Sequence, residues 1–89
     1  MKLNVLKVGS KSNQVLWLQE ILETEYGFEN PLLDGVYGNL TLTQVKAYQT
    51  ANNLTIDGVV GKFTMIDLIE KSTDPKRWFR KLQVLIAFE

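Results

Sequence analysis

Cysteine and histidine are both missing from the 89-residue chain. Their absence removes the side chains of Cys/His zinc sites, of Ser-His-Asp triads and of Cys-His dyads. Only carboxylates, lysine, serine, threonine and tyrosine remain as catalytic candidates, and the expectation is a protein without catalysis, metal or cofactor. With no disulfide available, stability must come from well-packed helices. No apolar run approaches the roughly 18 residues of a membrane span. An excess of one charge is missing too: ten basic residues balance ten acidic ones. Residues 1–73 hold six lysines against eight acids, so the basic stripe of a nucleic-acid binder is not there. The charge that is uneven lies at the end of the chain, where Lys76, Arg77, Arg80 and Lys81 stand against Asp74 and Glu89. The opening Met1-Lys2-Leu3-Asn4-Val5-Leu6-Lys7 has neither the apolar stretch nor the small-residue cleavage site of a signal peptide, which predicts synthesis in the cytoplasm without one.

What is present is helical periodicity and turn chemistry, with 45% hydrophobic residues, enough for one thin core. Ser12 suits an N-cap, and Val15, Leu18, Ile21 and Leu22 then recur on one helical face until Gly27 stops it. Pro31 disfavours helix at Asn30. A second helix is predicted over 39–52, with Leu42, Val45 and Gln49 on one face and Leu40, Ala47, Tyr48 and Ala51 widening it. A third is predicted over 62–71, with Phe63, Ile66, Leu68 and Ile69 apolar. Asp74 and Pro75 resemble an N-cap and first turn, and residues 75–88 read as a fourth helix, although Leu82 to Phe88 is apolar enough for a strand.

The most specific feature is an internal repeat. Leu33-Asp34-Gly35-Val36-Tyr37-Gly38-Asn39-Leu40-Thr41-Leu42 returns 23 residues later as Ile56-Asp57-Gly58-Val59-Val60-Gly61-Lys62-Phe63-Thr64-Met65. In each copy the aspartate can accept bonds from nearby backbone N–H groups, the first glycine can take positive φ, the second can cap the next helix, and the threonine falls in its first turn. A calcium loop would need oxygen ligands at alternate positions and a closing glutamate. Val36 and Val59 occupy the third position and no such glutamate follows. Asp34 and Asp57 as the paired carboxylates of a glycosidase fit poorly as well, because both occupy the same structural motif. Turn formation is the reading the residues favour.

Read in order, these segments resemble the peptidoglycan-binding domain found beside cell-wall hydrolases and in bacteriophage endolysins. The resemblance is carried by Leu6-Lys7-Val8-Gly9-Ser10, Val15-Leu16-Trp17-Leu18-Gln19, Asp34 to Thr41, Val45-Lys46-Ala47-Tyr48-Gln49, Asn53-Leu54 and Asp57 to Thr64, closing at Leu68. It implies an all-α, compact three-helix bundle over residues 1–71, with 72–89 as a C-terminal extension. It also implies non-catalytic binding of peptidoglycan through stem peptide or glycan, at the cell wall or within a larger assembly. The ligand surface implied lies around the first repeat loop and the start of the second helix, at Tyr37, Asn39, Thr41, Gln44 and Tyr48. The residues leave other readings open: Tyr48 is spaced to join the core, and Tyr37 matches Val60 of the second copy, a position that can pack inward. Gln19 and Gln49 sit at matching positions and suit bonding to loop backbone, while Trp17 falls between core and solvent as a candidate stacking platform.

The tail is too apolar to leave in water. Trp78, Phe79, Leu82 and Leu85 are candidate docking residues. The segment 74–89 could pack on the bundle as a fourth element, dock on a protein partner or a second copy, or lie on a membrane surface. If it docks on a partner, the function shifts from wall binding to a structural adaptor, in a phage tail or a related injection device.

Overall fold

Ser12 begins the first helix as its pattern predicts: the Ser12 hydroxyl accepts the Val15 N–H at 3.2 Å, and Gly27 ends the helix in the left-handed region at φ 72°. The computed structural model describes residues 4–28, 33–73 and 75–87. Within them lie α1 (Asn13–Tyr26), α2 (Asn39–Ala51), α3 (Lys62–Glu70) and α4 (Arg77–Ala87). No strand occurs among the described residues, so the fold is an all-α bundle with a C-terminal helix. The expected boundaries at Asn30-Pro31, the cap at Asp74 and the end at Phe88 lie outside the described residues.

Gly38 and Gly61 are the N-caps of α2 and α3, both with extended backbone. Asn53, at φ 56°, takes the left-handed position after α2, a place where asparagine is tolerated better than most residues. The core collects Leu6, Val15, Leu18, Leu22, Val45, Val60, Leu68 and their neighbours, with Val15, Leu18, Leu22 and Val60 wholly buried. Four residues assigned to apolar helix faces turn out instead to face water: Leu40, Ala47, Ala51 and Phe63. Each lies on the far side of its helix from the buried set, Val45, Tyr48 and Gln49 in α2 and Met65, Leu68 and Ile69 in α3. The Phe63 ring is covered only in part, by the Lys62 ammonium 5.5 Å from its centre.

The segment before α1 ties the two repeat loops together. Leu6 exchanges two backbone hydrogen bonds with Val60, at 3.0 and 2.8 Å, in the second loop. A turn at Lys7–Ser10 follows, with Gly9 at φ 96°. Past it, Gly9 donates to the Tyr37 carbonyl and Tyr37 donates to the Ser10 carbonyl, in the first loop. Tyr37 and Val60, the matched repeat positions, thus receive the same treatment: both are buried and both pair with the N-terminal segment.

α4 runs against α3 and buries only Val84 among its described residues. The Lys81 ammonium pairs with the Glu70 carboxylate across this contact, which holds Glu70 below the usual carboxylate range. Trp78, Phe79, Leu82, Leu85 and Ile86 are exposed.

Candidate functional site

Each Asp-Gly loop is locked by a glutamine reaching out of the preceding helix. In the first copy the Gln19 side-chain NH2 donates to Asp34 Oδ1 at 3.2 Å, to the Val36 carbonyl at 2.9 Å and to Thr41 Oγ1 at 3.1 Å. Its carbonyl oxygen accepts the Gly35 N–H at 2.9 Å. In the second copy Gln49 repeats this with Asp57, Val59 and Thr64, and accepts the Gly58 N–H at 3.0 Å. Asp34 also accepts the Val36 N–H and Asp57 the Val59 N–H. These backbone bonds first, then the glutamine amides, hold both carboxyls below their ordinary range. The glycines are required: Gly35 and Gly58 sit at φ 73° and 69°. The two aspartates are therefore turn residues whose charge is already engaged, not a reactive pair.

Burial redistributes the residues expected to meet a ligand. Asn39 is exposed, but Tyr37, Thr41, Gln44 and Tyr48 are buried. The Tyr37 hydroxyl donates to the Gly58 carbonyl at 2.6 Å, bracing one repeat loop against the other. Thr41 belongs to the Gln19 knot. The Tyr48 hydroxyl donates to the Asp67 carboxylate, and its ring meets Tyr26 edge-on, 4.9 Å between centres. Tyr26 in turn donates to the Leu68 carbonyl at 2.7 Å, and Lys71 closes the cluster through Asp67 at 3.0 Å. Burial raises the pKa of all three tyrosines, with the Asp57 charge adding to it at Tyr37 and the Asp67 hydrogen bond at Tyr48. Of those five residues only Asn39 lies exposed at the surface. Gln44 and Tyr48 share a helical face with Val45 and Thr41, and that face points into the core.

A hollow with a volume of about 580 Å³ lies between α1, α3 and α4. Trp17, Met65, Ile69, Val84 and Ala87 form an apolar floor, and Asn13, Gln14, Arg80 and Gln83 bring polar groups to it. Trp17 is half-buried, so one side of its indole packs on the core while the other borders the groove. Asn13 and Gln14 precede Trp17 by four and three residues, so one face of α1 supplies all three. That spacing was available in the sequence. The contribution of α4 was not, because it depends on how that helix docks. Among the described residues no cluster of His, Cys, Asp or Glu could hold a metal, and no helix is long and apolar enough to cross a membrane.

A family model described as a peptidoglycan binding domain matches residues 11–66, from the bridge at Lys11 through α1 and both glutamine-locked loops into α3. A crystal structure of the SleB N-terminal domain shares the fold with a TM-score of 0.71 at 30% identity, over 75% of this chain and 90% of that one. The matched stretch contains both copies of the knot, the whole of α2 and the start of α3. The chain belongs to the peptidoglycan-binding domain family.

Proposed function

We propose that the protein is a non-catalytic module that binds peptidoglycan at the cell wall, using the groove between α1, α3 and α4 as its contact surface. The observation that carries this reading is the family match over 11–66, to which the groove adds a suitable shape. Its volume falls within the range of small-ligand sites, and its apolar floor with a few polar groups matches their usual make-up. The Trp17 indole offers a face to a sugar ring or an alanine methyl, and Asn13, Gln14 and Gln83 offer amides that both donate and accept. Arg80 suits the carboxylates of a stem peptide. Asn39, exposed at the start of α2, stays a candidate for a more peripheral contact.

Co-sedimentation with purified insoluble peptidoglycan tests the proposal. The full chain is expected in the pellet, and Trp17→Ala, shown by circular dichroism to be folded, is expected to stay largely in the supernatant. A chain ending at Ser72 lacks the α4 wall of the groove and is expected to bind several-fold more weakly. Wall material stripped of its stem peptides by an amidase separates peptide from glycan recognition. Full retention of wall binding by both altered chains would move the contact surface away from the groove, and no sedimentation of the full chain would overturn wall binding itself.

A further inference from the structure

Asp-Gly occurs twice in the chain, at Asp34-Gly35 and Asp57-Gly58, once in each repeat loop. It is the dipeptide most prone to rearrange unaided, because glycine has no side chain to hinder attack by its own nitrogen. In that reaction the glycine nitrogen bonds to the aspartate Cγ and gives up its proton, and the carboxyl group releases water. A five-membered imide results. Water then opens the ring at either carbonyl. One opening restores aspartate; the other routes the main chain through the side-chain carboxyl and lengthens it by one carbon. Neither residue can be spared by the fold. Gly35 and Gly58 sit at φ 73° and 69°, and each aspartate closes its turn by accepting the N–H two residues on.

We infer that Gln19 and Gln49 are chemical guards: each holds its Asp-Gly pair in an arrangement that cannot close the imide, so that the two loops are self-modification sites kept shut by the fold. Ring closure needs the glycine nitrogen to leave the peptide plane and turn a face toward Cγ. The Gly35 N–H is instead pinned to Gln19 Oε1 at 2.9 Å, and the Gly35 carbonyl accepts the Ser12 N–H at 3.1 Å. The Gly58 N–H is pinned to Gln49 Oε1 at 3.0 Å, and the Gly58 carbonyl accepts the Tyr37 hydroxyl at 2.6 Å. Each glycine is therefore held on both sides.

The carboxyl group is held as firmly. Asp34 Oδ1 accepts the Gln19 amide at 3.2 Å and the Val36 N–H at 3.0 Å. Asp57 Oδ1 accepts the Gln49 amide at 3.0 Å and the Val59 N–H at 2.9 Å. One planar amide thus grips the nucleophile with its oxygen and the electrophile with its nitrogen, which fixes their relative orientation. The same bonds favour the ionised carboxyl, whereas water leaves from the protonated acid. Exclusion of solvent is not the device, because Asp34 and Asp57 are exposed and water for ring opening is at hand. Gly35 and Gly58 themselves are buried, so an extra main-chain carbon at either would break the knot that launches α2 or α3.

Prolonged incubation at neutral pH and physiological temperature tests the inference. An isoaspartate methyltransferase counts the β-linked aspartate formed, and electron-transfer fragmentation assigns it to one loop or the other. The full chain is expected to rearrange at both loops on the order of a hundredfold more slowly than the same chain in concentrated urea. The two loops then serve as each other's control. Gln19→Met removes the amide and keeps the length of the side chain. With folding shown by circular dichroism, it is expected to speed rearrangement at Asp34 by about tenfold and to leave Asp57 in the same molecule unchanged. Gln49→Met is expected to do the reverse. Hydrogen exchange of the unaltered chain needs no variant: the Gly35 and Gly58 amides are expected to be as protected as the core amides of α1. A folded Gln19→Met chain in which Asp34 stays slow, or in which both loops accelerate alike, overturns the inference. So does an unaltered chain that rearranges as fast as in urea, or whose two glycine amides exchange as exposed ones do. The readout is independent of peptidoglycan, so its failure leaves wall binding untouched.

Discussion

Gln49 carries more of the fold than any surface charge. Its one side chain satisfies the Gly58 N–H, the Val59 carbonyl, the Asp57 carboxylate and the Thr64 hydroxyl. Truncation to alanine leaves a buried N–H and a carbonyl without partners, which costs about 2–4 kcal/mol. Gln49→Ala and Gln19→Ala are each expected to lose stability in that range by urea unfolding, with little change in helix content while still folded. Gly35→Ala and Gly58→Ala are expected to lose about 1–3 kcal/mol each, because both sit at positive φ. An added Cβ at Gly35 would lie 3.0 Å from the Ser12 backbone oxygen, whereas at Gly58 it would meet the tip of Leu42 at 2.4 Å, a side chain able to turn away. The acid response belongs to the same residues. Asp34 and Asp57 have pKa values lowered in the fold, so their contribution is present above the unfolded value near 3.9 and is lost as pH falls through the folded value. Stability is expected to drop below about pH 4. The double substitution Asp34→Asn with Asp57→Asn is expected to flatten that drop, as read from unfolding midpoints between neutral and acid pH.

Among the elements, the helices with local caps were legible and the docking of the last one was not. Ser12, Gly27, Gly38 and Gly61 are short-range signals, and α1 to α3 begin at them or end on them. The repeat made the loops readable as well, since the aspartate, both glycines and the threonine each have one stereochemical use there. For α4 the apolar stripe could be read from its spacing, but an amphipathic pattern is ordinarily taken to bury its apolar side. Here the tertiary contact with α3 runs through Val84 and the Lys81–Glu70 pair, and most of the stripe stays exposed. Such an attachment is light. A chain ending at Ser72 is expected to keep cooperative unfolding of α1–α3 and to lose about 1.5–3 kcal/mol, the worth of one buried aliphatic side chain and its surroundings. Thermal unfolding followed in the far ultraviolet checks this, and a chain that no longer unfolds cooperatively would show that α4 is integral to the core.

For the molecule as a whole, what sequence could not resolve was which polar and aromatic groups the core would claim. Tyr37, Thr41, Gln44 and Tyr48 have the chemistry of a recognition surface, and spacing alone cannot tell a ring that stacks on a sugar from a ring that fills a bundle. The fold decides it by giving each tyrosine an internal acceptor: the Gly58 carbonyl for Tyr37, Asp67 for Tyr48 and the Leu68 carbonyl for Tyr26. These are the three tyrosines of the chain. Burial opposes phenolate formation at every one of them, so the folded pKa values lie above the unfolded value of about 10. A group with a raised pKa lends its stability below the unfolded value and loses it as pH climbs above that value. Ionisation of the buried Tyr37 and Tyr48 is therefore expected to wait for the bundle to open. An ultraviolet titration is expected to show no phenolate absorbance in the folded protein through about pH 10, and then one steep rise coincident with the loss of helical circular dichroism. A tyrosine that titrates separately, before the helices melt, would mark a ring that reaches water, and for Tyr37 or Tyr48 would support its place on the candidate ligand surface.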